Sequence, residues 1–185
     1  MVTVSSTIHI QQPLGVVFDL LADPSAKTAL NKMVEPISVK IENHERLQLG
    51  SICHYKLNFG NTVLDYRGRV TAFEEGKLIE SQTDSDTPLT IRVETIADDT
   101  GTWIRQSESF EATDEMLDSA LPHTVMEKIR RYAYRMLLWS EDQAALRIRH
   151  QREQLLVEML KTNLDHWLTD IKHHLEKNNE DEGHE

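Results

Sequence analysis

The residues that could do chemistry in this chain are few, and they lie far apart in sequence. Glu108 stands in a run where Ile104, Gln106, Glu108 and Phe110 alternate with Trp103, Arg105 and Ser107. In a strand, such alternation sends the two sets to opposite faces. If the first set points inward, Glu108 is a carboxylate set in an apolar wall and a candidate general base. If the second set points inward, Arg105 faces the interior and can bind the acidic headgroup of a ligand. The alternation leaves both registers open. Tyr55 and Tyr66 also stand in alternating runs, and a buried phenol needs a hydrogen-bond partner that a ligand can supply. Cys53 has no activating partner near it in sequence. His166, Asp170 and His174 recur at steps of four, which places them on one helical face at a spacing able to hold a metal. No second ligand set accompanies them, so a polar helix surface is the expectation and no metal is assigned. There is no glycine-rich phosphate loop and no nucleophile elbow, and no cofactor is expected.

The elements that must position these residues follow from periodicity. Val2, Val4, Ser6, Ile8 and Ile10 share one face of a first strand. Gln11 to Pro13 break it, and Pro13 suits the first turn of a helix. Val16, Val17, Leu20 and Leu21 then form a short helical stripe ending near Asp23-Pro24. A second short helix is expected from Ser25, read as an N-cap, to about Lys32. Alternating runs follow. Ile37, Val39 and Ile41 share a face, as do Cys53, Tyr55, Leu57 and Phe59. Leu64, Tyr66, Gly68, Val70 and Ala72 form the next set. A run around Leu78-Ile79 is followed by Leu89, Ile91 and Val93, and the last run extends from Thr102 to Ala112. Gly60-Asn61, Glu75-Gly76 and Asp98 to Gly101 are turn signals. About seven strands joined by short turns predict an antiparallel meander with one packed face.

After Thr113 the pattern changes. From His123 to Glu182 there is neither proline nor glycine. Leu156, Leu160, Leu164, Trp167, Ile171 and Leu175 recur at three or four residues, the mark of an amphipathic helix with one apolar stripe. A break is expected near Ser140 to Ala144. The expected organisation is one domain over residues 1–178, with a helical insertion at about 114–144 and a disordered acidic tail at 179–185.

Composition narrows the function classes. A chain of 185 residues can bury a core without staples, and no apolar run reaches the ~20 residues that span a bilayer, so no transmembrane segment is expected. The start lacks a basic region followed by an apolar stretch. One cysteine excludes an internal disulfide and makes a reducing cytoplasm the simplest compartment. A net charge of −11 argues against nucleic-acid binding. Basic residues nevertheless cluster between Lys128 and Arg152, either as a solvated helix face or as a site for an anionic group or acidic partner.

The order of strand, two short helices, about six strands and long helix resembles the helix-grip superfamily. That group (SRPBCC) includes the START-related lipid carriers, the plant pathogenesis-related and pollen-allergen proteins and the polyketide cyclase/dehydrase-like bacterial proteins. The passage Ile10 to Pro24 looks like the family's opening strand-to-helix segment, with an apolar position and an aromatic before Asp19. Gly50-Ser51, Gly68 to Glu74 and Gly101-Thr102-Trp103 are similar to family strand openings. The likeness covers residues 1 to about 112 and about 145 to 177. Two places depart from it: Ala29-Leu30-Asn31 stand where the family often has a tryptophan, and the segment from Asp114 to about Ala144 exceeds the usual link.

The resemblance implies an α+β fold in which a curved seven-stranded antiparallel sheet wraps a long C-terminal helix. It also implies a cleft between the two that accepts an apolar ligand. The alternation then names the wall. From the strands come Cys53, Tyr55, Leu57, Leu64, Tyr66, Val70 and Ile91, with Ile8, Val39, Ile41 and Val93 in the wider set. From the helix come Leu156, Leu160, Leu164 and Trp167. Three readings follow. The first is binding or carrying of a lipid-like or polycyclic small molecule. The second is a cyclase, dehydratase or hydrolase acting on such a molecule, because some relatives are enzymes. The third is a homodimer formed through the helical region 122–177, where Trp139, Leu146 and Ile148 offer apolar surface.

Overall fold

β-Branched and aromatic residues at every second position fit a pleated surface with one buried side, and here they build a single sheet. The computed structural model describes residues 1–60, 62–85, 88–113, 117 and 142–182, and for the last helix it describes side chains over 149–177. The strands are β1 (Val2–Ile10), β2 (Glu35–Ile41), β3 (Ile52–Phe59), β4 (Thr62–Glu74), β5 (Leu78–Thr83), β6 (Thr90–Asp98) and β7 (Gly101–Phe110). All neighbours are antiparallel, in the order β1-β7-β6-β5-β4-β3-β2. Helices α1 (Leu14–Leu21) and α2 (Pro24–Ala29) follow β1, and α3 (Asp142–Glu182) ends the chain. The fold is α+β, as expected.

The first and last strands pair, from Val2 opposite Phe110 to Ile10 opposite Thr102. Gly101 opens β7 because nothing larger fits there. A Cβ at that position would lie 2.1 Å from the Ile10 carbonyl oxygen. Beside this junction Gln12 anchors the end of α3: its Nε2 donates to Leu175 O at 2.8 Å, and its own carbonyl receives Thr102 Oγ1 at 2.9 Å.

One core joins the inner face of β1, β7 and β6 to the two larger helices. Val4, Ile10, Val93, Ile104 and Phe110 meet Val17, Phe18 and Leu21 of α1 and Leu156, Leu164, Leu168, Ile171 and Leu175 of α3. Each such side chain contributes about 1.5–3 kcal/mol on burial. Leu160 and Trp167 pack against this core while remaining partly exposed.

Three local expectations need correction. The cap of α2 is Asp23, not Ser25: its Oδ1 accepts from Ser25 N at 2.9 Å and Ala26 N at 3.0 Å. Pro24 then occupies the first turn, where its missing N–H costs nothing, and the helix stops at Ala29. In α1, Val16 points outward and Phe18 inward. In β4 a register shift between Val70 and Ala72 ends the alternation, so that Phe73 packs on the core and meets Phe18 edge-on at 5.8 Å. An extra residue in one strand moves every later side chain to the other face. Of the break expected near Ser140 to Ala144, residues 142–144 already belong to α3, while 140–141 and most of the insertion at 114–144 lie outside the described residues. Within that stretch, Leu117 is buried and belongs to the core.

Candidate functional site

The core does not fill the whole concave side of the sheet. Between β3–β6 and α2 a cavity of about 240 Å³ remains. The strands form its floor, with Cys53, Tyr55 and Leu57 on β3, Leu64, Tyr66, Gly68 and Val70 on β4, Ile79, Ser81 and Thr83 on β5, and Ile91 and Val93 on β6. Glu108 closes one side from β7. The roof comes from Leu21, Pro24, Lys27, Thr28, Asn31, Val34 and Leu47, with Trp167 of α3. Leu64 is 36% exposed, which places it at the open end.

The register left open in the last strand is now resolved. Ile104 and Gln106 are fully buried, so the set containing Glu108 points inward and Arg105 lies exposed on the outer face. Arg105 is therefore not among the residues that line this cavity. Cys53, Tyr55, Leu57, Leu64, Tyr66, Val70, Ile91 and Trp167 come together around it, as does Val93 from the wider set. Leu156, Leu160 and Leu164 do not: Leu156 and Leu164 are buried in the core, and Leu160 packs against it while partly exposed. Ile8 also packs against that core, and Val39 and Ile41 are not among the cavity residues.

Apart from Trp167, the roof was missed by sequence reasoning. Lys27 is the main omission. It sits on a short helix without apolar periodicity, so nothing in the pattern says which way it points. Trp167 holds it twice: Trp167 Nε1 donates to Lys27 O at 3.2 Å, and Lys27 Nζ lies 5.0 Å from the indole centroid. An ammonium over an indole face is attracted by the ring quadrupole. Burial lowers the Lys27 pKa to about 8, and Glu108 partly offsets that shift.

The remaining polar groups are fixed from the sheet. Tyr55 and Tyr66 face one another in register and stack at 5.1 Å with their planes 16° apart. Burial raises both phenol pKa values, with the Glu108 charge adding to Tyr66, and with Cys53 and Tyr66 adding to Tyr55. Both hydroxyls therefore stay protonated and can donate. Burial also raises the Cys53 thiol, against a smaller effect of Tyr55, so it stays a thiol rather than a nucleophilic thiolate. Glu108 Oε1 accepts from Gln106 Nε2 at 2.9 Å, while Gln106 Oε1 has no partner among the described residues.

Other sequence candidates lie elsewhere. His166 and His174 are exposed on α3, and Asp170 pairs with Lys32. Among the described residues no group of His, Cys, Asp and Glu is arranged to hold a metal ion. Trp139 and the side chains of Leu146 and Ile148 lie outside the described residues, as does most of the basic segment from Lys128 to Arg152.

A seven-stranded antiparallel sheet gripping a C-terminal helix, with short helices after the first strand and a hollow beneath them, defines the helix-grip class. No family model and no curated protein matches the sequence. Solved structures do match. A Staphylococcus aureus protein of unknown function is similar with a TM-score of 0.65 and 12% identity, over 97% of this chain and 96% of that one. An aromatase/cyclase from a Streptomyces species gives 0.58 and 11% identity, over 95% and 93%. A polyketide-cyclase-like protein from Corynebacterium glutamicum gives 0.56 and 13% identity, over 99% and 96%. At such identities the likeness shows the fold, and the fold of this chain is the helix-grip. Among the described residues no helix is long and apolar enough to cross a membrane.

Proposed function

We propose that this protein binds a hydrophobic small molecule in the hollow between β3–β6 and α2. One observation carries the reading: an unfilled space of about 240 Å³ whose walls are largely apolar and aromatic, with a few polar groups converging on it. That is the general character of a small-molecule site, and the size falls just below the usual range of about 300–1,000 Å³. A compact ring system therefore suits it better than a two-chain lipid. Apolar burial at about 25 cal/mol per Å² supplies the affinity, and the polar groups set the orientation. The test is a cavity-filling variant. Ile91→Trp should abolish binding of a neutral naphthalene dye, measured by fluorescence titration, while the thermal midpoint stays within a few degrees of wild type. Unchanged dye binding in that variant would overturn the reading.

A catalytic reading is favoured by a different observation. Glu108 points into the hollow with Tyr66 and Lys27 also on its walls, which is the arrangement of a candidate base among candidate donors. Acid–base chemistry on a carbonyl-bearing substrate, as in cyclisation or dehydration, is the reaction class that these groups fit. Loss of turnover in Glu108→Gln without loss of ligand affinity would support it. A homodimer through 122–177 stays a proposal. It is favoured by the exposed Leu155 and Met159 on α3, and sedimentation equilibrium at high concentration tests it.

A further inference from the structure

The apolar hollow contains a cation that its surroundings do not neutralise at contact distance. Lys32 pairs with Asp170, Lys77 with Glu74, Lys161 with Asp165, and Lys172 with Glu176. Lys27 differs. Among the described residues its ammonium has an indole face at 5.0 Å and no carboxylate within ion-pair distance. Its backbone is held by the same Trp167 and by the Asp23-capped first turn of α2. The ammonium is therefore placed by structure, not by a partner charge. The nearest acidic influence is Glu108, on the wall formed by β7, whose Oε1 is already occupied by Gln106 Nε2 at 2.9 Å. The hollow is polarised, with a cation in the roof, a carboxylate on one wall, and apolar surface and two stacked phenols between.

We propose that the hollow takes an amphipathic acid, whose anionic group is held by Lys27 and whose ring system lies on Tyr55 and Tyr66. This inference rests on the binding reading above and names the chemical class of its ligand. An ammonium in apolar surroundings is costly unless an opposite charge accompanies it. A bound anion supplies that charge through a short, charge-assisted hydrogen bond. The indole face attracts the ammonium but accepts no conventional hydrogen bond, so its three N–H groups remain donors for the ligand. With a pKa of about 8, Lys27 is still mainly protonated at neutral pH. Glu108 repels an acid group at its own end, and so it sets the direction in which the ligand lies.

The experiment compares two dyes built on one anilinonaphthalene body, an anionic sulfonate and the neutral phenylnaphthylamine. Both are titrated by fluorescence into the full-length protein. Signal that survives in the filled variant Ile91→Trp is off-site and is subtracted. Wild type should bind the sulfonate about tenfold more tightly than the neutral dye, the ratio that one good charged contact supplies. Lys27→Met should erase that preference by weakening the sulfonate far more than the neutral dye, since the methionine keeps the apolar stem. Lys27→Arg should restore most of the preference. Glu108→Gln should tighten the sulfonate a few-fold. The inference is overturned if wild type prefers the neutral dye, or if Lys27→Met weakens both dyes equally, which would mark a structural role. If neither dye binds the wild-type cavity, the binding reading falls and takes this inference with it.

Discussion

The same sheet is filled in one half and hollow in the other. Over β1, β7 and β6, α1 and α3 supply Phe18, Leu164, Leu168 and Ile171, and the space is packed solid. Over β3, β4 and β5 the inner positions include Cys53, Gly68, Val70 and Ser81 with two tyrosines, and among the described residues their cover comes from α2, Leu21, Asn31, Val34, Leu47 and Trp167. The reason is dimensional. A helix with its side chains is about 10–12 Å wide, whereas strands lie about 4.8 Å apart, so one helix covers little more than two strands. A seven-stranded sheet gripped by one long helix must leave part of its concave face to something else. On β7, Gln106 is fully buried while Glu108, two residues on, reaches the wall of the hollow.

The largest effect expected from this contrast is at Ile171, which is fully buried in the core that α3 shares with β1 and α1. Ile171→Ala should cost about 2–5 kcal/mol in urea unfolding, because the cavity it leaves cannot collapse. Leu64→Ala, at the open end of the hollow, should cost about 1 kcal/mol or less, since that side chain already borders empty space and water. Equal costs at the two positions would break the comparison.

A smaller effect concerns Lys27. Its folded pKa of about 8 lies below the ordinary 10.5, so folding disfavours its charged form. The penalty is fully present below pH 8 and fades as pH rises toward 10.5, where the unfolded chain also loses the proton. Lys27→Met should therefore be more stable than wild type at pH 7, by on the order of 2 kcal/mol after allowance for the residue's partial exposure. The difference should shrink as pH rises between those two values. Parallel stability curves for the two proteins across that range would show that the roof does not desolvate the ammonium.

A further small effect lies at the cap of α2. Asp23→Ala removes two hydrogen bonds to the first turn and should cost about 1 kcal/mol. Because this turn carries Lys27, dye affinity should weaken along with stability. Dye affinity that is untouched would mean that the roof is held by Trp167 alone.

Much of the floor of the hollow was legible in the alternation. Cys53, Tyr55 and Leu57 share a face because a strand repeats every two residues, and that holds wherever the strand is placed. The same rule gave two registers for Glu108 and Arg105, since it separates faces without saying which is inside. Pairing β7 with β1, a contact about a hundred residues long in sequence, chose between them. The helical stripe was visible, yet Leu156 and Leu164 went to the core and Trp167 to the hollow. One stripe passes over both halves of the sheet, and only the crossing geometry divides it. The shift at Val70 to Ala72 had no signature, because a bulge inserts a residue without changing composition. Lys27 had none either, since a helix of six residues is too short to display a face.

By itself the order of residues determined the kinds of element, their sequence along the chain and the two faces of each strand, because these follow from backbone periods and turn chemistry over a few neighbours. The tertiary structure decided which face turned inward, which part of the sheet the long C-terminal helix left uncovered, and that a lysine from a six-residue helix should stand over an indole at the edge of the remaining space. Those outcomes depend on distances between segments far apart in the chain, which no local period encodes.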